Sequence, residues 1–182
     1  MKSIVILYHK DCSDRFGAAW AAWRKFGKKA SYVPVEHQMP VPKGLEDKEI
    51  YFVDFSYPIK VLRKLIRDNR KVVIIDHHLS SEKDIRRTSD YYFDLKHSGS
   101  VLAWKYFHSG KKVPWLLRYV EDRDLWNYKL PALDCIGAVL DLTPFNFKKW
   151  NGLARDFDEP KTRKKYINKG KILVDYERSK LE

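Results

Sequence analysis

The sequence predicts an α/β protein: a doubly wound, mainly parallel five-stranded sheet that is flanked by helices and followed by a helical C-terminal extension. Two observations predict this class. Short apolar runs rich in β-branched and aromatic residues recur through residues 3–94, and segments with helical periodicity lie between them. Alternating strands and helices build parallel β-α-β units with right-handed crossovers, and ligands bind beyond the carboxyl ends of such strands.

Each predicted strand is short and is followed by polar residues. The strands cover residues 3–8, 31–35, 50–53, 71–75 and 91–94. The fourth is apolar from Val72 to Ile75, which is typical of a strand that is buried on both faces. Pro34 cannot donate a hydrogen bond to a neighbouring strand, so the second strand is expected at an edge of the sheet.

Helical patterns separate the strands and then fill the rest of the chain. The predicted helices cover residues 14–22, 57–69, 98–107, 113–120, 131–142, 144–155 and 161–178. Asp14 is expected to cap the first helix. Gly170 lowers the helix propensity of the last predicted helix, over residues 161–178. A length of 182 residues suits one core with appendages, so we expect an α/β domain over residues 1–128 and a basic helical extension over residues 129–182.

The composition excludes several classes of protein. A hydrophobic fraction of 44% and an aromatic fraction of 14% exclude a largely disordered chain. No apolar stretch approaches the roughly 20 residues that cross a bilayer, so no membrane role is expected and the protein is predicted to be cytoplasmic. The two cysteines, Cys12 and Cys135, are too few for a disulfide framework.

The chain is strongly basic. Thirty-six Lys and Arg residues against 24 Asp and Glu residues give a formal net charge of +12. Such a charge suits a polyanionic partner, either a phosphorylated small molecule or a short single-stranded nucleic acid. Much of the excess lies beyond residue 160, where a solvated, lysine-rich helix explains it equally well.

Acidic residues and histidines follow four of the predicted elements. They are His9, Asp11 and Asp14 after the first strand, Asp54 after the third, Asp76, His77 and His78 after the fourth, and Asp122 with Asp124 at a helix end. Taken singly, each acid is explained by helix capping or by a surface ion pair. Carboxylates brought together at one sheet edge would instead repel and raise one another's pKa unless cations neutralised them.

These donor atoms indicate a pair of divalent metal ions. Carboxylate oxygen with a minority of imidazole nitrogen suits Mn²⁺ first and Mg²⁺ second, rather than structural zinc. Two ions about 3.5–4 Å apart need a bridging acid, and Asp54, alone after its strand, is the candidate. Because such a pair activates water and offsets charge at phosphorus, the residues predict hydrolysis of phosphoesters or phosphoanhydrides.

The four motifs resemble those of the DHH phosphoesterase superfamily over about residues 3–126, and Asp76-His77-His78 matches the tripeptide for which that family is named. The resemblance implies one Mn²⁺ held by His9, Asp11 and Asp54, and another held by Asp14, Asp54, His77 and Asp122. It implies a catalytic group of His78, Asp54 and Asp76, with His78 facing the scissile phosphate. Residues assigned to substrate binding are Arg15, Ser98, Gly99, Ser100, Arg123 and Asp124. Helix capping explains the two serines as well.

Three features depart from the family pattern. Arg15 stands where members with this loop carry glycine, and its guanidinium either contacts phosphate or points to solvent. Asp11 and Asp14 are three positions apart rather than two, which leaves the reach of Asp11 to a metal open. No glycine-rich run follows Trp126, so either the basic helices replace the family's second domain, or another subunit of a homo-oligomer does, or the cleft is open.

The leading hypothesis is a Mn²⁺-dependent phosphoesterase that uses water activated by two metal ions to hydrolyse phosphodiester or phosphomonoester bonds of short nucleic acids or nucleotides. The alternative substrates are inorganic pyrophosphate and polyphosphate. A third hypothesis is a nucleic-acid or nucleotide-binding module with little turnover. Trp115, Trp126 and Tyr128 carry rings that can stack on bases, which matters only if the ligand is a nucleotide or nucleic acid.

Overall fold

The computed structural model describes residues 1–9, 12–36 and 40–180. The chain divides into two compact units, Met1–Lys111 and Lys112–Glu182. The helix expected near residues 113–120 therefore belongs to the second unit and not to the α/β domain predicted over residues 1–128. Across the described ranges, no helix combines the length and the apolar character that crossing a membrane would require.

The first unit alternates strands and helices, as the sequence predicts. In chain order its elements are β1 (Ile4–His9), α1 (Ser13–Phe26), β2 (Ala30–Val35), β3 (Glu49–Val53), α2 (Ile59–Asp68), β4 (Lys71–Asp76), α3 (Leu79–Ile85), β5 (Tyr91–Phe93) and α4 (Gly99–Phe107). A short 3₁₀ turn over Gly27–Lys29 connects α1 to β2. The predicted five-stranded α/β architecture is confirmed.

The sheet is parallel throughout, with the strand order β2-β1-β3-β4-β5. Strand β2 lies at an edge, as Pro34 predicts. The chain moves from β1 to one side and then returns to build the other side from β3, so the switch point of the topology lies between β1 and β3. Ligands of doubly wound sheets bind at this point, beyond the carboxyl ends of the strands.

The register aligns those carboxyl ends. Tyr8 of β1 lies opposite Val53 of β3, and Val53 lies opposite Ile75 of β4. The next residue in each strand or loop is therefore at the same level along the sheet edge. Consequently, the polar residues that follow three neighbouring strands are brought together by backbone pairing alone.

Both faces of the sheet are covered. On one face, Leu7, Phe52 and Ile74 belong to a buried apolar cluster that includes Leu62 of α2. On the other face α1 packs against α4, and the rings of Trp20 and Trp104 stack with centroids 5.6 Å apart. Strands buried on both faces are apolar throughout, which is the pattern that identified β4 in the sequence.

Two local features differ from the sequence prediction. Helix α1 begins at Ser13 with Cys12 as its N-cap residue, so Asp14 lies in the first turn and is not the cap. Its carboxylate accepts a hydrogen bond from the backbone of another helix instead. Helix α3 has no predicted counterpart, because its seven residues are mostly polar and too short to show helical periodicity.

The second unit is helical. Its elements are α5 (Trp115–Asp124), α6 (Leu133–Asp141), α7 (Phe147–Asp158) and α8 (Pro160–Ser179). The helices predicted in this region are found, with bounds that differ by a few residues. Pro160 begins α8 at a position where a missing N–H costs nothing. Buried Tyr119, Trp150 and Phe157 are the large side chains of this core.

Gly170 is required by close packing of α8 on α6. A Cβ at this position would lie 1.9 Å from the carbonyl oxygen of Cys135 and 2.5 Å from its carbonyl carbon. We therefore expect Gly170→Ala to lower the free energy of unfolding by about 1–3 kcal/mol, measured by urea denaturation followed by circular dichroism.

The matched control is Gly152→Ala in α7. No atom lies within 4 Å of the added Cβ. Alanine has the higher helix propensity, so this variant should gain about 0.5–1 kcal/mol. If both variants were equally stable, the packing explanation for Gly170 would be wrong.

Candidate functional site

Three buried polar side chains lie at the carboxyl edge of the sheet and form the first part of the candidate site. His9 ends β1, Asp54 directly follows β3 and Asp76 ends β4. Asp14, from the first turn of α1, is buried beside them. The histidines that follow Asp76 complete the cluster. The structure thus places these sequence-predicted residues of the first unit at one edge, while Asp11 lies outside the described residues.

Asp54 is held in an uncommon backbone conformation. Its φ is +59°, in the left-handed region that non-glycine residues rarely adopt. Its N–H donates to the carbonyl oxygen of Ile75 at 2.8 Å, which continues the pairing of β3 with β4 by one residue. Strained conformations of this kind cluster at functional sites, where the surrounding structure enforces them.

Gly99 makes room for the Asp54 side chain. A Cβ at Gly99 would lie 2.2 Å from Oδ1 of Asp54 and 2.3 Å from its Cγ. The first residue of α4 therefore touches the carboxylate directly, and only glycine fits. The sequence predicts a role for Gly99 through its N–H group, and no pattern in the sequence indicates this second requirement.

His77 lies between the two buried acids. Its Nε2 is 3.2 Å from Oδ1 of Asp54 and 3.9 Å from Oδ2 of Asp14. One ligand atom from each of Asp54, His77 and His78 lies within 4.8 Å of the others. This spacing and the mixture of carboxylate and imidazole atoms could hold a metal ion.

Asp14 supports that interpretation. Its Oδ1 accepts a hydrogen bond from the backbone N–H of Ser100 at 3.1 Å. Its Oδ2 is buried and has no hydrogen-bond partner among residues 1–9, 12–36 and 40–180. Leaving a buried carboxylate oxygen without a partner is costly, and a cation beside His77 would supply one.

His78 and Asp76 form a hydrogen-bonded pair. Nδ1 of His78 lies 2.6 Å from Oδ1 of Asp76. The same carboxylate accepts the backbone N–H of His77 at 2.8 Å and the hydroxyl of Ser81 at 2.7 Å. Burial by itself raises the pKa of Asp76, but these hydrogen bonds, led by that from His78, hold the pKa below its usual range.

The Asp76 carboxylate shifts the pKa of its partner His78 in the opposite direction. Its hydrogen bond raises the pKa of His78. The ring is therefore fixed with the proton on Nδ1 facing Asp76, which directs Nε2 elsewhere. Ser81 is not among the site residues predicted from the sequence. Its signal in the sequence is a serine three residues after His78, at the start of a helix too short to recognise.

Arg15 faces the site rather than solvent alone. Its terminal nitrogen lies 2.9 Å from Nδ1 of His9, and its Nε lies 3.9 Å from Oδ2 of Asp54. From the sequence, a phosphate contact and a solvent-facing side chain are both open for Arg15. The structure adds contacts with two of the predicted metal ligands.

Ser98 and Ser100 begin α4. The hydroxyl of Ser98 accepts from the backbone N–H of Val101 at 3.5 Å, so Ser98 is an N-cap residue. The two hydroxyl oxygens are 3.1 Å apart, and both residues are buried. The capping explanation is thus present in the structure, and a role for these serines in phosphate binding stays a prediction.

The remaining predicted residues belong to the second unit. Oδ2 of Asp122 accepts backbone hydrogen bonds from Lys129 at 3.0 Å and from Leu130 at 2.9 Å, and Oδ1 accepts one from Lys129 at 3.2 Å. Arg123 pairs with Asp141 through two hydrogen bonds of 2.7 and 3.0 Å. Asp124 is the last residue of α5. These contacts hold local structure, and the assignment of Asp122 to a metal stays a prediction.

The fold and the site together define the class: a doubly wound α/β protein with a buried cluster of carboxylates and imidazoles at the switch point of its sheet. No family model matches the chain. An uncharacterized protein of Acanthamoeba polyphaga mimivirus is 28% identical over 191 aligned positions, which cover 96% of this chain and 44% of that protein. The chain thus spans less than half of this relative.

A solved structure has the same fold. The crystal structure of an uncharacterized protein from Helicobacter pylori G27 matches with a TM-score of 0.71 at 13% sequence identity. The match covers 95% of this chain and 62% of that protein. At this level of identity the similarity supports the fold, while function must be argued from the site.

Proposed function

We propose that this protein is a Mn²⁺-dependent phosphoesterase that acts on short nucleic acids or nucleotides in the cytoplasm, and that its motifs are those of the DHH phosphoesterases. One observation carries the proposal. Asp14, Asp54 and His77 converge at the carboxyl edge of the sheet, and a buried oxygen of Asp14 has no hydrogen-bond partner among the described residues. A cation is the simplest group that satisfies this arrangement.

The residues fit a divalent ion that prefers oxygen. Asp54 and His77, 3.2 Å apart, would hold it, with Asp14 as a further carboxylate 3.9 Å from the same His77 nitrogen. Carboxylate oxygen with one imidazole nitrogen matches the preference of Mn²⁺ and, to a lesser degree, Mg²⁺. A bound ion of this kind supplies a water of lowered pKa as nucleophile and offsets negative charge at phosphorus. The positive φ of Asp54 and the close approach of Gly99 hold the central carboxylate in a single orientation.

His78 has the geometry of a proton donor. Asp76 accepts the hydrogen bond from Nδ1, so Nε2 is the nitrogen that can hold a proton towards a substrate oxygen. The hydrogen bond to Asp76 raises the pKa of His78, which favours the protonated ring relative to a free imidazole. Asp76 acts through His78 and is therefore a positioning residue in this proposal.

Exposed aromatic rings favour a substrate with bases over inorganic pyrophosphate or polyphosphate. In the second unit, Trp126 is 78% exposed and Tyr128 is 52% exposed, with ring centroids 5.8 Å apart. Both have positive φ, and the N–H of Asn127 between them donates to the carbonyl oxygen of Asp122 at 3.0 Å. Rings held out to solvent by a strained loop suit stacking on nucleobases, and the net charge of +12 suits a phosphate backbone.

The test is product analysis on a substrate panel. Purified protein with Mn²⁺ should release nucleotides or phosphate from short single-stranded oligonucleotides or nucleotides, and chelation of the metal should abolish release. Mass spectrometry of the products separates phosphodiesterase from phosphatase action. Mn²⁺ binding without turnover of oligonucleotides, nucleotides, pyrophosphate or polyphosphate would contradict the proposal, and salt-dependent binding without product would favour the binding module.

The substrate class has its own control. Trp126→Ala should raise KM for oligonucleotides by about 5-fold or more, in line with about 1–3 kcal/mol per stacked base. Tyr176→Ala removes a tyrosine that is 58% exposed on α8 and should change KM little. Equal effects of the two substitutions would remove the support for base stacking.

A further inference from the structure

Arg15 lies where the resemblance to the DHH enzymes implies a metal ion. That ion would be held by His9, Asp11 and Asp54. In the structure, the guanidinium of Arg15 lies 2.9 Å from Nδ1 of His9, and its Nε lies 3.9 Å from Oδ2 of Asp54. A permanent positive charge thus already contacts two of those three ligands.

The contact engages a ring nitrogen of His9 that is otherwise able to bind a metal. Arginine has five N–H donors and no acceptor, so Nδ1 of His9 must be the acceptor in this hydrogen bond. The lone pair that accepts from arginine is the lone pair that would coordinate an ion through Nδ1. His9 is buried, which limits its freedom to turn away.

The two oxygens of Asp54 face different partners. Oδ2 faces Arg15 at 3.9 Å, and Oδ1 faces Nε2 of His77 at 3.2 Å. The buried Oδ2 of Asp14 lies on the His77 side, 3.9 Å from the same Nε2. The sequence predicts that the carboxylate of Asp54 bridges two metal ions. In the structure it lies instead between the guanidinium of Arg15 and one candidate ion position beside His77.

We infer that the guanidinium of Arg15 takes the place of one of the two metal ions, so that this site binds one divalent ion, held by Asp14, Asp54 and His77. The inference rests on the proposed function, because it assumes that the cluster binds metal. It gives Arg15 a defined role as the resident cation beside His9.

The test measures how many Mn²⁺ ions each chain binds. Isothermal titration with Mn²⁺ and electron paramagnetic resonance on the whole 182-residue chain should give one ion per chain, with the spectrum of an isolated Mn²⁺. Arg15→Ala should bind two ions per chain, with the broadened spectrum of an exchange-coupled pair. Arg15→Gln, which keeps the length of the side chain without its charge, provides a second variant. Lys25→Ala removes one charge from the exposed side of the same helix and should leave the stoichiometry at one.

The outcomes separate the inference from the function. Two ions per chain in the unmodified protein would overturn the role of Arg15 and leave the metal-dependent function in place. One ion per chain in both the unmodified protein and the two Arg15 variants would also overturn it, because Arg15 would then not be what excludes the second ion. Absence of Mn²⁺ binding from the protein and from all its variants would overturn both.

Discussion

Asp54→Asn is expected to reduce Mn²⁺ affinity and kcat each by more than about 100-fold, which is the upper range for residues that only support a metal ligand. The carboxylate is central to the cluster, with His77 at 3.2 Å and His78 at 3.8 Å from its Oδ1. Isothermal titration with Mn²⁺ and a steady-state assay on the best substrate of the panel measure the two losses.

The fold should survive this substitution. Asparagine is among the residues best tolerated at positive φ, so the backbone at +59° is kept. The amide also removes one of two neighbouring buried negative charges, so the melting temperature should stay the same or rise. A loss of activity with an unchanged melting temperature would identify Asp54 as functional rather than structural.

Asp47→Asn is the matched control. Asp47 also has positive φ, at 52°, but its carboxylate is exposed and pairs with Arg70 on the surface. This substitution should change neither metal affinity nor kcat. If Asp54→Asn were as active as Asp47→Asn, the metal site would not be where the geometry indicates.

Gly99→Ala is expected to weaken Mn²⁺ binding by about 10-fold or more and to lower the free energy of unfolding by about 1–3 kcal/mol. The added methyl would overlap Oδ1, Cγ and Cβ of Asp54, at 2.2, 2.3 and 2.4 Å. Either the carboxylate or the start of α4 must move, and Asp14 depends on α4 through the N–H of Ser100. Denaturant unfolding and Mn²⁺ titration measure the two effects.

A double-mutant cycle tests the cause. Asp54→Gly removes the three atoms nearest to the added methyl, and glycine accepts the positive φ without strain. In that background, Gly99→Ala should cost little stability. An unchanged cost would mean that the glycine is needed for the start of α4 itself and not for Asp54.

Much of the fold was predictable because it depends on local patterns. The apolar runs that became β1, β3 and β4 are separated by helical segments, and this alternation specifies a parallel sheet. Pro34 indicated an edge strand for a chemical reason, the missing N–H. Helix α3 was missed, since a short polar helix has no periodicity to read.

The sequence was sufficient to predict which residues of the candidate site lie at the ends of strands. His9, Asp54 and Asp76 were selected because they follow apolar runs, and the register of β1, β3 and β4 aligns them. The roles of Ser81 and Gly99 were not predictable. Ser81 donates a hydrogen bond to Asp76 across a turn, and Gly99 of α4 makes room for Asp54, which follows β3. The contact of Gly99 with Asp54 leaves no pattern along the chain, and Ser81 lies at the start of a helix too short to recognise.

The amino-acid sequence by itself determined the fold class, the edge position of β2 and the acids and histidines at the carboxyl ends, because these follow from periodicity and from side-chain chemistry. Only the tertiary structure decided the strand order, the orientation of Arg15 towards His9 and Asp54, and the glycine that makes room for Asp54. The physical reason is that these depend on distances of a few ångströms between residues far apart in sequence, which are set by packing rather than by local propensity.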